Sequence, residues 1–223
     1  MSKKRVVHFF FLLLAFFLLS NAFPGIAGEM KAESRVIERF QQSYDSTIDF
    51  TAAFRQETDF KTLNRKLVAR GKLYFKQPGK MLWSYEEPKG QVVLADGKAL
   101  YFYQPEQGQI MKSPLKDAFQ SGISLSFLLG IGNLTRDFKV TLKGLKKGNY
   151  ILQLGPRGEW KGIRDIVLGV NCQSFDIIWA QIQDLVGNVV TIHFSDIRKG
   201  VGLKDSLFQL EVPDGVDVVT LGP

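Results

Sequence analysis

From Ile48 to Phe60 the chain alternates. Ile48, Phe50, Ala52, Phe54, Gln56, Thr58 and Phe60 fall on one side, and Asp49, Thr51, Ala53, Arg55, Glu57 and Asp59 on the other. A period of two is the mark of a strand with one face covered, because successive side chains of an extended backbone point to opposite faces. The same alternation returns at Leu67–Lys76, where Gly71, Leu73 and Phe75 oppose Arg70, Lys72, Tyr74 and Lys76, and again from Lys80, where Met81, Trp83 and Tyr85 share a face. A sheet is therefore the main constraint on this fold.

Turn chemistry punctuates the strands. Lys61–Lys66 is polar, and Pro78-Gly79, Pro88 with Gly90, and Pro105–Gly108 are breakers. Asp96-Gly97 between Val92–Ala95 and Leu100–Tyr103 is a strong hairpin signal. Further strands are expected at Phe138–Leu142, Tyr150–Leu154, Ile163–Val170, Phe175–Gln183, Val189–Phe194 and Leu207–Val212. Before the first strand, Lys31–Asp45 has helical spacing, with Val36, Ile37, Phe40 and Tyr44 on one stripe. Ser113–Asn133 breaks the strand pattern and is too apolar for a solvated loop. Turns every eight to twelve residues argue an antiparallel sheet, and helices gathered at two points argue an α+β fold. The expected order is a helix, five strands, a helical insert and about six more strands, with no linker dividing them.

The first residues carry a different message. Lys3, Lys4 and Arg5 precede an apolar run, Val6–Leu19, and then small residues and a turn. That is the layout of a cleaved signal peptide, and the run is shorter than the ~20 residues a spanning helix needs. Cutting fits after Ala27 or after Ala22. With residues 1–27 removed, 28–223 form a single domain and the formal charge falls from +7 to +4. No basic cluster follows, so nucleic acid is not an expected partner. Cys172, the lone cysteine, excludes an internal disulfide and is expected to be buried and inert. His193, the one histidine left, falls in a strand with no nucleophile elbow anywhere in the chain. Glu86 and Glu87 are neighbours and point apart. Neither a catalytic residue nor a metal or cofactor site is expected, and the chain does not read as an enzyme.

What the sequence does supply is large apolar residues. Phe54, Leu73, Phe75, Met81, Trp83, Tyr85, Leu94, Leu100 and Phe102 are read as one common face. Two readings remain open. The face is an ordinary core closed by the first helix, or it is the wall of a hydrophobic pocket covered by the 113–133 insert.

Several stretches resemble a known family. Gly71-Lys72-Leu73-Tyr74-Phe75-Lys76-Gln77-Pro78-Gly79-Lys80-Met81-Leu82-Trp83-Ser84-Tyr85 with Pro88, Leu94–Tyr103, Phe54-Arg55-Gln56 and Phe208–Val218 are similar, in that order, to the outer-membrane lipoprotein carrier family, LolA. The resemblance implies an incomplete antiparallel β-barrel of about eleven strands, with a helical lid over a hydrophobic cavity. It implies a periplasmic, monomeric chaperone that takes acylated lipoproteins from an inner-membrane ABC exporter to an outer-membrane receptor or to the outer membrane itself. The nine residues above become the acyl-chain cavity. Ile123, Leu125, Phe127, Leu128 and Leu129 become the lid, with Gly122, Gly130 and Gly132 as candidate hinges. One position departs: where the family has an Arg before the Pro and uses it to hold the lid, this chain has Gln77, which carries no charge. Lys76 or Lys80 are the candidates to replace it. Carriage of another lipid, such as a glycolipid or phospholipid, or a sensor or scaffold role on the same fold, are the alternative functions.

Overall fold

A computed structural model describes residues 24–115, 138–157 and 162–221. By internal contacts the chain divides into two units, Met1–Arg35 and Val36–Pro223. Helix α1, Pro24–Ser46, begins in the first.

Among the described residues, the second unit contains twelve strands in one open sheet. In chain order they are β1 (Asp49–Phe60), β2 (Arg65–Lys76), β3 (Lys80–Glu87), β4 (Val92–Asp96), β5 (Ala99–Gln104), β6 (Gln109–Pro114), β7 (Phe138–Lys146), β8 (Asn149–Pro156), β9 (Ile163–Asn171), β10 (Ile177–Asp184), β11 (Val189–Lys199) and β12 (Asp217–Thr220). Across the sheet they run β12-β6-β5-β4-β3-β2-β1-β11-β10-β9-β8-β7. Two antiparallel meanders thus meet at the β1–β11 pairing, which joins residues far apart in sequence. So many twisted strands cannot stay flat, and the sheet is strongly curved without closing.

The local rules hold well. β4 and β5 form the hairpin at Asp96-Gly97, with Gly97 at φ +93°. The Asp96 carboxylate accepts N–H bonds from Lys98 at 2.7 Å and Ala99 at 2.8 Å, and the Tyr101 hydroxyl donates to it at 3.1 Å. At the other end of β1 the expectation fails. Asp49, on the polar side of the alternation, is 3% exposed, while Ile48, on the apolar side, is 70% exposed. The reason is a segment from the far end of the chain. The Asp49 carboxylate accepts the N–H of Val201 at 2.7 Å and of Leu203 at 2.8 Å. These charge-assisted bonds fasten residues 200–208 across the sheet.

That strap also corrects the expected last strand. Leu207–Val212 is not a strand. Asp205–Phe208 is a 3-10 turn lying against β3 and β4, with Phe208 buried, and the strand comes later, at β12. β12 pairs parallel to β6, so the sheet is not wholly antiparallel. β6 itself was unread in the sequence, and with it the count rises from eleven strands to twelve. The Lys76 ammonium reaches Asp205 at 2.6 Å and the Leu203 carbonyl at 2.6 Å, and the Lys80 ammonium reaches Asp205 at 2.7 Å. Hydrogen bonds from Lys76 and then Lys80 hold the Asp205 carboxyl down to about 2.

Candidate functional site

Directly paired residues of an antiparallel ladder share a face, so register decides which side each residue occupies. Phe50 pairs with Phe75 and Phe75 with Met81; Ala52 pairs with Leu73 and Leu73 with Trp83; Trp83 pairs with Val93 and Val93 with Phe102. Phe54 pairs with Phe194 of β11 and with Gly71, which pairs with Tyr85. These residues form the inner face, and Phe40 of α1 joins the same apolar cluster. Leu94 does not belong to it. Leu94 pairs with Leu82 and Tyr101, which puts it on the outer face, where the turn containing Phe208 covers β3 and β4. Of the nine expected cavity residues, eight therefore share the inner face and one lies behind it.

The eight differ in surroundings. Met81, Trp83, Leu73, Phe54, Phe75 and Leu100 are 0–3% exposed. The Trp83 ring centroid lies 4.7 Å from Phe54 and 6.1 Å from Phe194, and the indole N–H is directed at the Met81 sulfur, 2.7 Å away. Tyr85 and Phe102 are partly buried against this cluster. The Tyr85 hydroxyl donates to Gln56 at 3.3 Å. Burial pushes its pKa up to about 12. An unfolded tyrosine ionises near 10, so between pH 10 and 12 the unfolded chain has lost this proton and the native one has kept it. Tyr85 is thus expected to make the protein lose stability as pH rises across that window. Urea unfolding at successive pH values should show the loss, and Tyr85→Phe should remove part of it.

Open space lies beside this packed cluster. A pocket of about 640 Å³, counting solvent at its mouth, runs between the last turns of α1 and the inner face where β1, β2, β10 and β11 meet. Leu73 and Phe75, both expected, line it. Phe40 and Tyr44 of α1, and Phe175, Phe194 and Ile197, line it too and were not singled out from the sequence. The α1 pair was visible as a helical stripe needing a surface; the others required the β1–β11 pairing. Phe175 ends the turn before β10 at φ +57°, a left-handed conformation costly for a bulky residue. Its ring lies 5.8 Å from Tyr150 and under the Arg39 guanidinium. The pocket wall carries one ion pair, between Lys199 and Asp176. The Lys199 ammonium also reaches the Ser43 hydroxyl at 3.3 Å.

Gln77 is tied to the end of α1. Its side-chain amide donates to the Tyr44 carbonyl at 3.4 Å, and its backbone N–H donates to the Ile48 carbonyl at 2.8 Å. Lys76 and Lys80, the candidate substitutes, are both engaged by Asp205. The expected lid residues Ile123, Leu125, Phe127, Leu128 and Leu129, and the glycines at 122, 130 and 132, lie outside the described residues. Leu115 and Phe138, which border that stretch, are both buried in the inner cluster. His193 is exposed on β11, across from Arg55. Glu87 pairs with Arg70 at 3.1 Å. Cys172 is half-buried, in a turn and not in the core.

The model of the family described as outer membrane lipoprotein carrier protein LolA matches residues 45–211. An outer-membrane lipoprotein carrier protein of Methylobacillus flagellatus is 28% identical over 183 residues, spanning 82% of this chain and 88% of that one. Another, from Methylococcus capsulatus, is 28% identical over 188 residues, spanning 84% and 89%. Among solved structures, a DUF1329 family protein from Desulfovibrio piger shares the fold, with a TM-score of 0.53 at 17% identity, covering 80% of this chain and 96% of that one. The family match spans both meanders, the inner apolar face and the strap that carries Asp205; the chain belongs to the LolA family of outer membrane lipoprotein carriers.

Proposed function

We propose that this protein is a non-enzymatic periplasmic carrier of lipoproteins, which holds their acyl chains against the inner face of the sheet. Residues 1–27 serve as its export signal, and 28–223 act as one carrier domain. It receives cargo from an inner-membrane ABC exporter and releases it to an outer-membrane receptor or to the outer membrane itself. The observation that carries this reading is the apolar pocket under α1, continuous with a face of large aliphatic and aromatic side chains.

The energetics suit the task. A 16-carbon chain left in water costs about 12 kcal/mol at about 0.8 kcal/mol per methylene. A carrier without its own energy source must offset most of that and still release the chain to a better acceptor. An open pocket lined by adaptable apolar side chains meets both demands; a fully complementary one would hold too tightly. Delipidated protein should bind an environment-sensitive apolar dye, and acylated lipoprotein should displace it where the acyl-free form does not. Equal displacement by both forms would overturn the reading.

A further inference from the structure

We infer that the β1–β2 and β10–β11 turns together form a docking surface for an anionic phospholipid membrane. Two hairpin tips from opposite halves of the sheet are clasped here. The Lys61 N–H donates to the Asn188 side chain at 3.1 Å. Asn188 is in turn fixed by Asp184, which accepts from its backbone N–H at 2.8 Å, from its amide at 2.7 Å and from Gly187 N–H at 2.7 Å. The Arg164 guanidinium donates to the Leu185 carbonyl at 3.3 Å, adding the start of β9 to the same end.

This bracing holds large apolar side chains in water. Leu63 is 69% exposed, Leu185 58% and Val186 66%. Turns normally present polar tips, and aliphatic residues held out on a braced platform mark a contact surface. The charge around them selects the partner. Lys61, Arg65 and Lys66 are exposed on the β1–β2 side. Among the described residues neither Lys61 nor Arg65 has an ion-pair partner, while Lys66 lies 3.7 Å from Asp59. The described carboxylates at this end are Asp184, bonded within its own turn, Asp165, bonded by the Gln153 amide at 3.0 and 3.1 Å, and Asp59; the cations Lys61, Arg65, Lys66 and Arg164 outnumber them. Aliphatic tips flanked by the unpaired cations Lys61 and Arg65 match a headgroup layer of negative charge over hydrocarbon. This surface is separate from the pocket and does not depend on what the pocket holds.

The test uses protein recovered from the periplasmic fraction and delipidated, sedimented with vesicles of phosphatidylcholine containing one quarter phosphatidylglycerol, or of phosphatidylcholine alone. The wild type should bind the anionic vesicles, and more weakly in high salt. Lys61→Glu with Arg65→Glu should weaken binding about tenfold or more, as should Leu63→Ser with Val186→Ser. Melting curves check folding, and Lys61→Gln with Arg65→Gln serves if the reversed charges disturb it. Wild type that ignores anionic vesicles, or variants that bind as it does, would overturn the inference. So would variants defective in cargo delivery alongside a wild type indifferent to vesicles, since the surface would then serve a protein. Dye displacement by acylated lipoprotein should be unchanged in every variant, which separates failure here from failure of the carrier reading.

Discussion

Gly71→Ala is expected to lower the stability of the fold by about 3 kcal/mol, the upper end of ordinary overpacking costs. A β-carbon at this position would lie 2.1 Å from the Ser84 carbonyl oxygen and 2.9 Å from the Tyr85 α-carbon. Both are backbone atoms of the neighbouring strand, so no side-chain rotation relieves the clash. The Phe54 ring blocks the third direction at 3.0 Å. Gly71 also sits where the β2–β3 register shifts, between Arg70 and Gly71, so the strands cannot separate here without disturbing that irregularity. Urea unfolding measures the loss directly. A midpoint within experimental error of wild type would mean that β2 and β3 do not approach as closely as described.

Trp83→Ala should cost about 3–5 kcal/mol, the range for deleting a large buried aromatic. The indole is 1% exposed and packed between Phe54, Phe194 and Met81. The family resemblance implies that Trp83 lines the cavity; its indole is packed within the apolar cluster beside the pocket under α1. The distinction can be measured. An indole facing empty space would be lost at little cost, so a change under about 1 kcal/mol would return Trp83 to the cavity wall.

The meanders were legible because their signals are local. Alternation over Phe50–Phe60 and Met81–Tyr85, and the Asp-Gly turn at 96–97, depend on residues adjacent in sequence, and the fold keeps them. What escaped depends on distant chain. Val92-Val93-Leu94-Ala95 is apolar at every position, so alternation could not say which face Leu94 takes. The answer lies in the Phe208 turn that covers the outer face, more than a hundred residues away. Asp49 misled for the same reason, since its partners are Val201 and Leu203. β6 shows little alternation because, of its six residues, only Ile110 is fully buried and the rest are part-exposed on both faces. The pocket was half legible. Leu73 and Phe75 were found from β2 alone, but Phe194 and Ile197 reach it through the β1–β11 pairing, which no local pattern announces.

The central claim is that acyl chains lie on the inner face, in the pocket under α1. The most direct measurement places a photo-crosslinking residue at Phe75, which lines that pocket, and separately at Leu94, on the opposite side of the same sheet. Each protein is loaded with a lipoprotein radiolabelled in its acyl chains and irradiated. Strong acyl labelling from position 75 and background labelling from position 94 is the predicted result. Equal labelling from both positions, or none from position 75 with cargo bound, would contradict it.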